Sequence, residues 1–467
     1  MATKDFDLIV IGSGPAGHHG AIQGAKLGKR VAIVEKPRWL GGVCFHTGTL
    51  PSKTLREAVL HLSGFRLRGV YGSAYRVKQN ITPDDLLKRC LFVIQKEVEV
   101  YKAQFARNNV TLITGTARFV DEHTIAVYQD GSERHYMGDK FLIAVGTIPA
   151  KSQKFSVDGQ RIIDGDCIIQ LKQIPPSLIV VGGGVIGMEY ACAFAVLGSR
   201  VTVVDGRRRL LEFLDDEIFE ALKFYMREIG VTFRLGEAAK GVEVLNGHVQ
   251  LTMESNKLLT AHTVLYAAGR IGATKGLNLE CVGITTDERG RIKVNENFQT
   301  EVPHIYAAGD VIGFPSLAST SMEQGRIAVA RAFGCSHAHM PSIFPYGIYT
   351  IPEVSFAGKT EEQLTQEGVP YEVGIAQYRE IAKGNILGDN TGKLKILVHR
   401  DTLELLGVHI IGEGATELVH IGHAVMAHKG SIHYFIDHVF NYPTLAECYK
   451  VAALHAINSL SLHSKAA

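Results

Sequence analysis

The chain has no CxxC pair, no low-complexity run, no long block of like charge and almost no net charge. Each absence removes a class of function. With 49 Lys and Arg against 47 Asp and Glu, the net charge of +2 gives no electrostatic case for binding nucleic acid or an anionic membrane. The start, Met1-Ala2-Thr3-Lys4-Asp5-Phe6-Asp7, lacks the basic head and apolar core of a signal peptide, so a cytoplasmic location is expected. The one apolar stretch long enough to suggest a membrane span, Leu178 to Leu197, contains Glu189 and a glycine triplet and follows Pro175-Pro176. It reads as strand, turn and helix, because a charge at mid-span is costly. The seven cysteines are scattered through apolar surroundings, which fits buried reduced thiols better than a disulfide framework or a zinc site. His420 and His423 share a helical face but have no further ligand at metal spacing, so no metal is expected.

What is present is a duplication. At 467 residues the chain is long enough for about three domains, and its 46% hydrophobic content is ordinary for globular protein. Phe6 to Ile11 reads as a strand, Gly12-Ser13-Gly14-Pro15-Ala16-Gly17 as a turn and His18 to Leu27 as a helix. A second strand, Val31 to Val34, ends at Glu35. This is a dinucleotide fingerprint in its proper context, with glycines for close approach to a pyrophosphate and an acid for the ribose. The pattern recurs as Ser177 to Val181, Gly182-Gly183-Gly184-Val185-Ile186-Gly187, Met188 to Leu197, and Val201 to Val204 ending at Asp205. Two fingerprints imply two dinucleotides. Asp205 suits the 2′-hydroxyl of NAD, whereas Arg207 and Arg208 suit the 2′-phosphate of NADP, a combination that tolerates both. Further on, helices are expected over Ser52 to Leu62 and Asp84 to Asn108, and strands over Val110 to Ile113 and Lys140 to Val145.

Between the fingerprints lies Gly41-Gly42-Val43-Cys44-Phe45-His46-Thr47-Gly48-Thr49-Leu50-Pro51-Ser52-Lys53. It resembles the redox segment of the two-dinucleotide flavoproteins of the pyridine nucleotide-disulfide oxidoreductase family, with Thr49 where that family carries its second cysteine. Two later stretches also resemble the family: Ala144-Val145-Gly146-Thr147-Ile148-Pro149, and Ala307-Ala308-Gly309-Asp310 followed by Leu317-Ala318. The family's tail carries His-Pro-Thr-x-x-Glu; here Tyr442-Pro443-Thr444-Leu445-Ala446-Glu447 keeps the glutamate and replaces the histidine. A phenol of pKa about 10 is a poor acid–base near neutrality.

The resemblance spans nearly the whole chain and implies an α/β fold: two Rossmann-like dinucleotide-binding domains plus a C-terminal α+β dimerisation domain. The expected boundaries are 1–150 and 276–345 for the two segments of the FAD domain, 151–275 for the NAD(P) domain and 346–467 for dimerisation. FAD is expected against Gly12, Gly14, Gly17, Glu35, Lys36, Gly42, Val43, Cys44, Lys53, Gly115, Ala117, Gly146, Asp310, Leu317 and Ala318. NAD(H) or NADP(H) is expected against Gly182, Gly184, Gly187, Glu189, Asp205, Arg207, Arg208, Gly269 and Arg270. Lys53 paired with Glu189 is implied to lie near the flavin as the catalytic pair, in a homodimer or a higher homo-oligomer. Losing both the cysteine and the histidine points to the branch that passes hydride from NADPH to NAD through the flavin without a disulfide. Cys44 is then a packed thiol, or alternatively a lone redox cysteine that passes through sulfenic acid. A disulfide reductase with a distant second cysteine, an NAD(P)H oxidase and a non-catalytic nucleotide sensor remain as alternative readings.

Overall fold

Branched apolar runs build the centre of the molecule. Phe6–Ile11 buries its last four residues completely, as a strand covered on both faces does. In a computed structural model describing residues 4–466, apart from Gln153, Asn246, Ser336 and Ala338, this strand lies between Val31–Glu35 and Ser132–Ile143. Thr111–Thr114 and Ile305–Ala307 extend the parallel sheet on its two sides. Ser132–Ile143 starts earlier than the expected Lys140 because its first half pairs antiparallel with Thr124–Gln129. Its second half enters the parallel sheet, with Phe141 opposite both Ile9 and Ile305.

The second fingerprint sits in its own five-stranded parallel sheet. The order is Val231–Leu235, Arg200–Asp205, Ser177–Val181, Thr263–Tyr266 and Ile162–Asp164. The chain passes between the two sheets twice, and the passages pair with each other as Thr147–Pro149 and Arg270–Gly272. The third sheet is antiparallel and joins Tyr346–Ile348, Val354–Gly358, Leu405–Ile411, Lys393–His399 and Tyr371–Gln377. The helix Glu447–Ala466 brings Cys448, Tyr449, Ala452 and Ala453 into the core that this sheet shares. Among the described residues, no helix is long and apolar enough to cross a membrane.

Buried charge joins the third sheet to the second. The side chain of Lys395 is wholly buried, with its Nζ 2.8 Å from Asp215 Oδ1 and 3.1 Å from Glu217 Oε2, and it also contacts Glu361. Burial alone would disfavour the ammonium, but the carboxylates outweigh it and hold the lysine's pKa above its ordinary value. Asp215 is itself buried at the start of the helix Asp216–Glu228, so the cluster fixes that helix against the third sheet. Lys395→Met would strand the Asp215 carboxylate, at a cost of about 3–5 kcal/mol. Thermal unfolding of the protein as purified should show a clearly lowered midpoint, part of which returns in Lys395→Met/Asp215→Asn. An unchanged midpoint would show that the cluster contributes nothing to stability.

Candidate active site

The three sheets meet around one cleft of ≈ 1200 Å³, larger than the roughly 300–1000 Å³ of ordinary ligand pockets. Its geometry starts at the first glycine turn. Gly12 has φ +99°, and a Cβ there would lie 2.5 Å from the Ala144 carbonyl oxygen. At Gly17 a Cβ would lie 1.8 Å from the Gly12 carbonyl, so the helix Pro15–Lys26 seats directly on the turn. Gly14 has open space where a side chain would be and lines the cleft at that helix's N-terminus. Free amides and the helix dipole favour an anion there. The Glu35 carboxylate accepts from the Ser13 amide at 2.7 Å, the Ser13 hydroxyl at 2.8 Å and the Lys36 amide at 2.8 Å. Ser13 Oγ in turn accepts from the Gly41 amide at 2.9 Å, which ties the turn to the redox segment.

The second turn repeats the design. Gly182 has φ +107°, and a Cβ on Gly187 would lie 2.0 Å from the Gly182 carbonyl. Asp205 Oδ2 accepts from the Gly183 amide at 2.8 Å. Unlike Glu35, Asp205 is clamped by a cation: Arg207 Nη2 lies 2.7 Å from Oδ2 and Nε 3.0 Å from Oδ1. Burial raises the Asp205 pKa, but these hydrogen bonds prevail and hold it below the ordinary carboxylate range. Gly17, Gly182 and Gly187 serve the close packing under the turns and do not line the cleft. Asp205, Arg207 and Arg208 also lie outside its lining, and Arg208 runs along Gly236.

The redox segment folds as two helices. Gly41 and Gly42, with φ +95° and +62°, turn the chain into Gly42–His46, and Thr49–Leu62 follows. This second helix begins before the expected Ser52 because Pro51 falls in its first turn, where a missing amide hydrogen costs nothing. Cys44 stands beside Thr49. Burial pushes its thiol pKa up, and the hydrogen bond with Thr49 offsets this only in part. All seven cysteines are unpaired.

Lys53 comes from the first sheet's domain and reaches Glu189 in the second, with Nζ 2.7 Å from Oε2 and 3.0 Å from Oε1. The third sheet's domain completes the group. The Tyr349 amide donates to Glu189 Oε1 at 2.9 Å, and the Tyr349 ring centroid lies 4.9 Å from Lys53 Nζ. Nothing in the sequence signalled Ser13 or Tyr349, since both act through contacts with distant residues. Lys53, Glu189 and Tyr349 all line the cleft.

Other expected residues complete its wall. Lys36, Gly42, Val43, Cys44, Gly115, Ala117 and Gly146 line it. Asp310, Leu317 and Ala318 line it at the start of the helix Ala318–Ala332. Burial raises the Asp310 pKa, opposed by Arg270 and by hydrogen bonds from Ser321 and Thr147. Gly269 and Arg270 face the cleft from the crossing passage, and Arg270 is held by Thr147 Oγ1 at 2.9 Å and Asp166 at 3.3 Å. His420 lines the cleft, whereas His423 is bonded through Nε2 to the Ile343 carbonyl at 3.1 Å. Tyr442 is 75% exposed and lies outside the cleft.

Similarity to known proteins covers the region of the first two sheets as one match and that of the third sheet as another. The pyridine nucleotide-disulphide oxidoreductase family model matches residues 6–325, and the family's dimerisation domain matches 344–453. A relative from Mycobacterium bovis named soluble pyridine nucleotide transhydrogenase is 54% identical over 98% of each chain. One of the same name from Vibrio atlanticus is 45% identical, covering 98% of this chain and 99% of its own. Among solved structures, LpdA from Mycobacterium tuberculosis superposes with TM-score 0.88 at 26% identity, over 96% of this chain and 99% of its own. The HOCl-induced flavoprotein disulfide reductase RclA from Escherichia coli superposes with TM-score 0.85 at 26% identity, over 96% and 99%. On the match of both domains, this chain belongs to the pyridine nucleotide-disulphide oxidoreductase family.

Proposed function

We propose that this protein is an FAD-dependent transhydrogenase that passes hydride between NADPH and NAD, working as a cytoplasmic homodimer. The observation that carries the reading is a complete two-dinucleotide cleft whose redox segment holds a single sulfur, Cys44, beside the hydroxyl of Thr49. The names of the full-length relatives support it.

The residues present fit FAD. The open amide face at Gly14, the helix N-terminus behind it and the Glu35 carboxylate match a pyrophosphate and an adenosine ribose in one line. Asp310, beside Thr147 and Ser321, offers an acceptor for a hydroxylated chain, and Leu317 and Ala318, which also line the cleft, open the helix Ala318–Ala332. Gly184 lines the corresponding NAD(P) part of the cleft, seated by the close packing at Gly182 and Gly187, with Asp205 and Arg207 beyond its lining at the strand end. When bound, the flavin supplies reversible two-electron hydride chemistry. The protein's part is to bind, orient and polarise.

Lys53 places a positive charge in the cleft wall, and Glu189 with the Tyr349 amide fixes its position. In this reading Lys53 and Glu189 set the electrostatics where the two cofactors meet. Cys44 stays a protonated thiol near neutral pH because burial raises its pKa. A neutral thiol facing a hydroxyl has no second sulfur beside it with which to form a disulfide, so a dithiol relay for electrons is missing. This disfavours a disulfide reductase.

The direct test incubates the purified yellow protein with NADPH and thio-NAD without oxygen and follows thio-NADH, with lipoamide and oxygen as separate acceptors. Rapid thio-NADH formation with little turnover of either control is the expected result; turnover of lipoamide alone would overturn the proposal. Glu189→Gln is expected to keep full flavin content while slowing hydride transfer roughly tenfold, equivalent to ~1.4 kcal/mol of barrier. An unchanged rate would remove Glu189 from the catalytic pair. Thr49→Cys is expected to form an oxidisable pair with Cys44, seen as two thiols lost to thiol titration on oxidation and regained on reduction.

A further inference from the structure

The two fingerprints place an acid in the same way and treat it differently. In both, the strand-end carboxylate accepts from the amide of the second turn residue, Ser13 in one and Gly183 in the other. A carboxylate has about four lone-pair sites. Glu35 uses three of them, on the Ser13 amide, the Ser13 hydroxyl and the Lys36 amide. Among the described residues no cationic side chain is ion-paired with Glu35, so one site is left for a ribose hydroxyl. Asp205 uses all four. Oδ1 accepts from the Arg207 amide at 2.9 Å and Nε at 3.0 Å, and Oδ2 from the Gly183 amide at 2.8 Å and Arg207 Nη2 at 2.7 Å.

Half of this saturation comes from a side chain that reaches solvent. Two of the four donors belong to one guanidinium whose side chain is 52% exposed, while the Asp205 side chain is 9% exposed. Withdrawing that guanidinium into solvent opens two acceptor positions without disturbing the turn, because the Gly183 and Arg207 amides stay in place. The same guanidinium is planar and suited to bidentate contact with phosphate oxygens.

We infer that Arg207 is an exchangeable counter-ion that lets one site serve both nucleotides: it leaves Asp205 for solvent when a 2′-hydroxyl binds and turns to the 2′-phosphate when NADP(H) binds. The inference rests on the proposed function and assigns the discrimination to Arg207, with Arg208 beside Gly236 outside the exchange. Each nucleotide breaks the same ion pair, so that cost is common to both and the discrimination falls on what Asp205 and Arg207 contact afterwards. The Glu35 site has no such device, in keeping with an adenosine that never carries a 2′-phosphate.

The test is calorimetric titration of the FAD-loaded protein with 2′,5′-ADP and with 5′-AMP at fixed ionic strength. Arg207→Gln is expected to weaken 2′,5′-ADP at least tenfold while leaving 5′-AMP unchanged or several-fold tighter, since the carboxylate is then open. Asp205→Asn should do the reverse, tightening 2′,5′-ADP several-fold and weakening 5′-AMP. Opposite signs separate exchange from structural damage, which would weaken both ligands together. Parallel losses, no change in Arg207→Gln, or the split appearing in Arg208→Gln instead would each overturn the inference. Wild-type protein binding neither fragment would overturn the functional reading itself.

Discussion

The structure depends on helices seated directly on glycine turns. A Cβ at Gly17 would sit 1.8 Å from the Gly12 carbonyl, and one at Gly187 would sit 2.0 Å from that of Gly182. A third close backbone contact packs one helix on another: a Cβ at Gly325, within Ala318–Ala332, would lie 2.0 Å from the Ala16 carbonyl. No side-chain adjustment relieves a clash with backbone at such distances. Gly17 and Gly187 therefore fix how the helices Pro15–Lys26 and Val185–Val196 leave their turns, and Gly325 fixes how closely Ala318–Ala332 packs on the first of them. Gly14 and Gly184, which face open space, do a different job in the same motif by leaving room for a ligand.

On that frame, one polar group ties the three sheets' domains together at the cleft. Lys53 follows the redox turn, Glu189 lies in the first turns of the second fingerprint's helix, and Tyr349 follows the first strand of the third sheet. Glu189 is only 8% exposed and would be costly to bury alone. An ammonium and a backbone amide satisfy it, the amide holding one oxygen while the ammonium spans both. The Lys395 cluster separately ties the helix Asp216–Glu228 to the third sheet, so the second and third sheets' elements are joined at a second buried polar group besides Glu189. A site assembled from three separate sheets gains precision only when their relative positions are this constrained.

Much of this was legible in the sequence, and the reasons are physical. Ser177–Val181 falls where its apolar run ends, and the acids Glu35 and Asp205 follow from the spacing that a strand, turn and helix require. Lys53 and Glu189 came from resemblance, and the structure brings them to 2.7 Å. The missed features depend on partners that sequence separation hides. Tyr349 is 160 residues from Glu189, and Ser13 acts through a hydroxyl at a turn position whose motif leaves the residue free. The antiparallel unit Ala239–Leu245, His248–Met253 and Leu258–Ala261 was not read, because its short half-exposed strands carry a weak periodic signal. Arg207 was read as a phosphate ligand; its choice of Asp205 as resting partner depends on a side-chain orientation that spacing does not encode.

Two departures from the family's pattern, Thr49 and Tyr442, are chemically one. An acid–base group in the tail is useful only where thiols must gain and lose protons, and thiol exchange needs two sulfurs within reach of each other. Once Thr49 faces Cys44, a histidine at 442 has no proton to carry, and a phenol there loses nothing. The side chain of Tyr442 is accordingly free of any buried role within the chain, while Tyr449, one helical segment later, is fully buried and bonded to the Leu418 carbonyl at 2.9 Å. Hydride exchange between nicotinamides needs no such relay, because a hydride carries its electrons and proton together. The parts that bind and orient dinucleotides are therefore intact here, and the altered parts are the ones that only a dithiol would use.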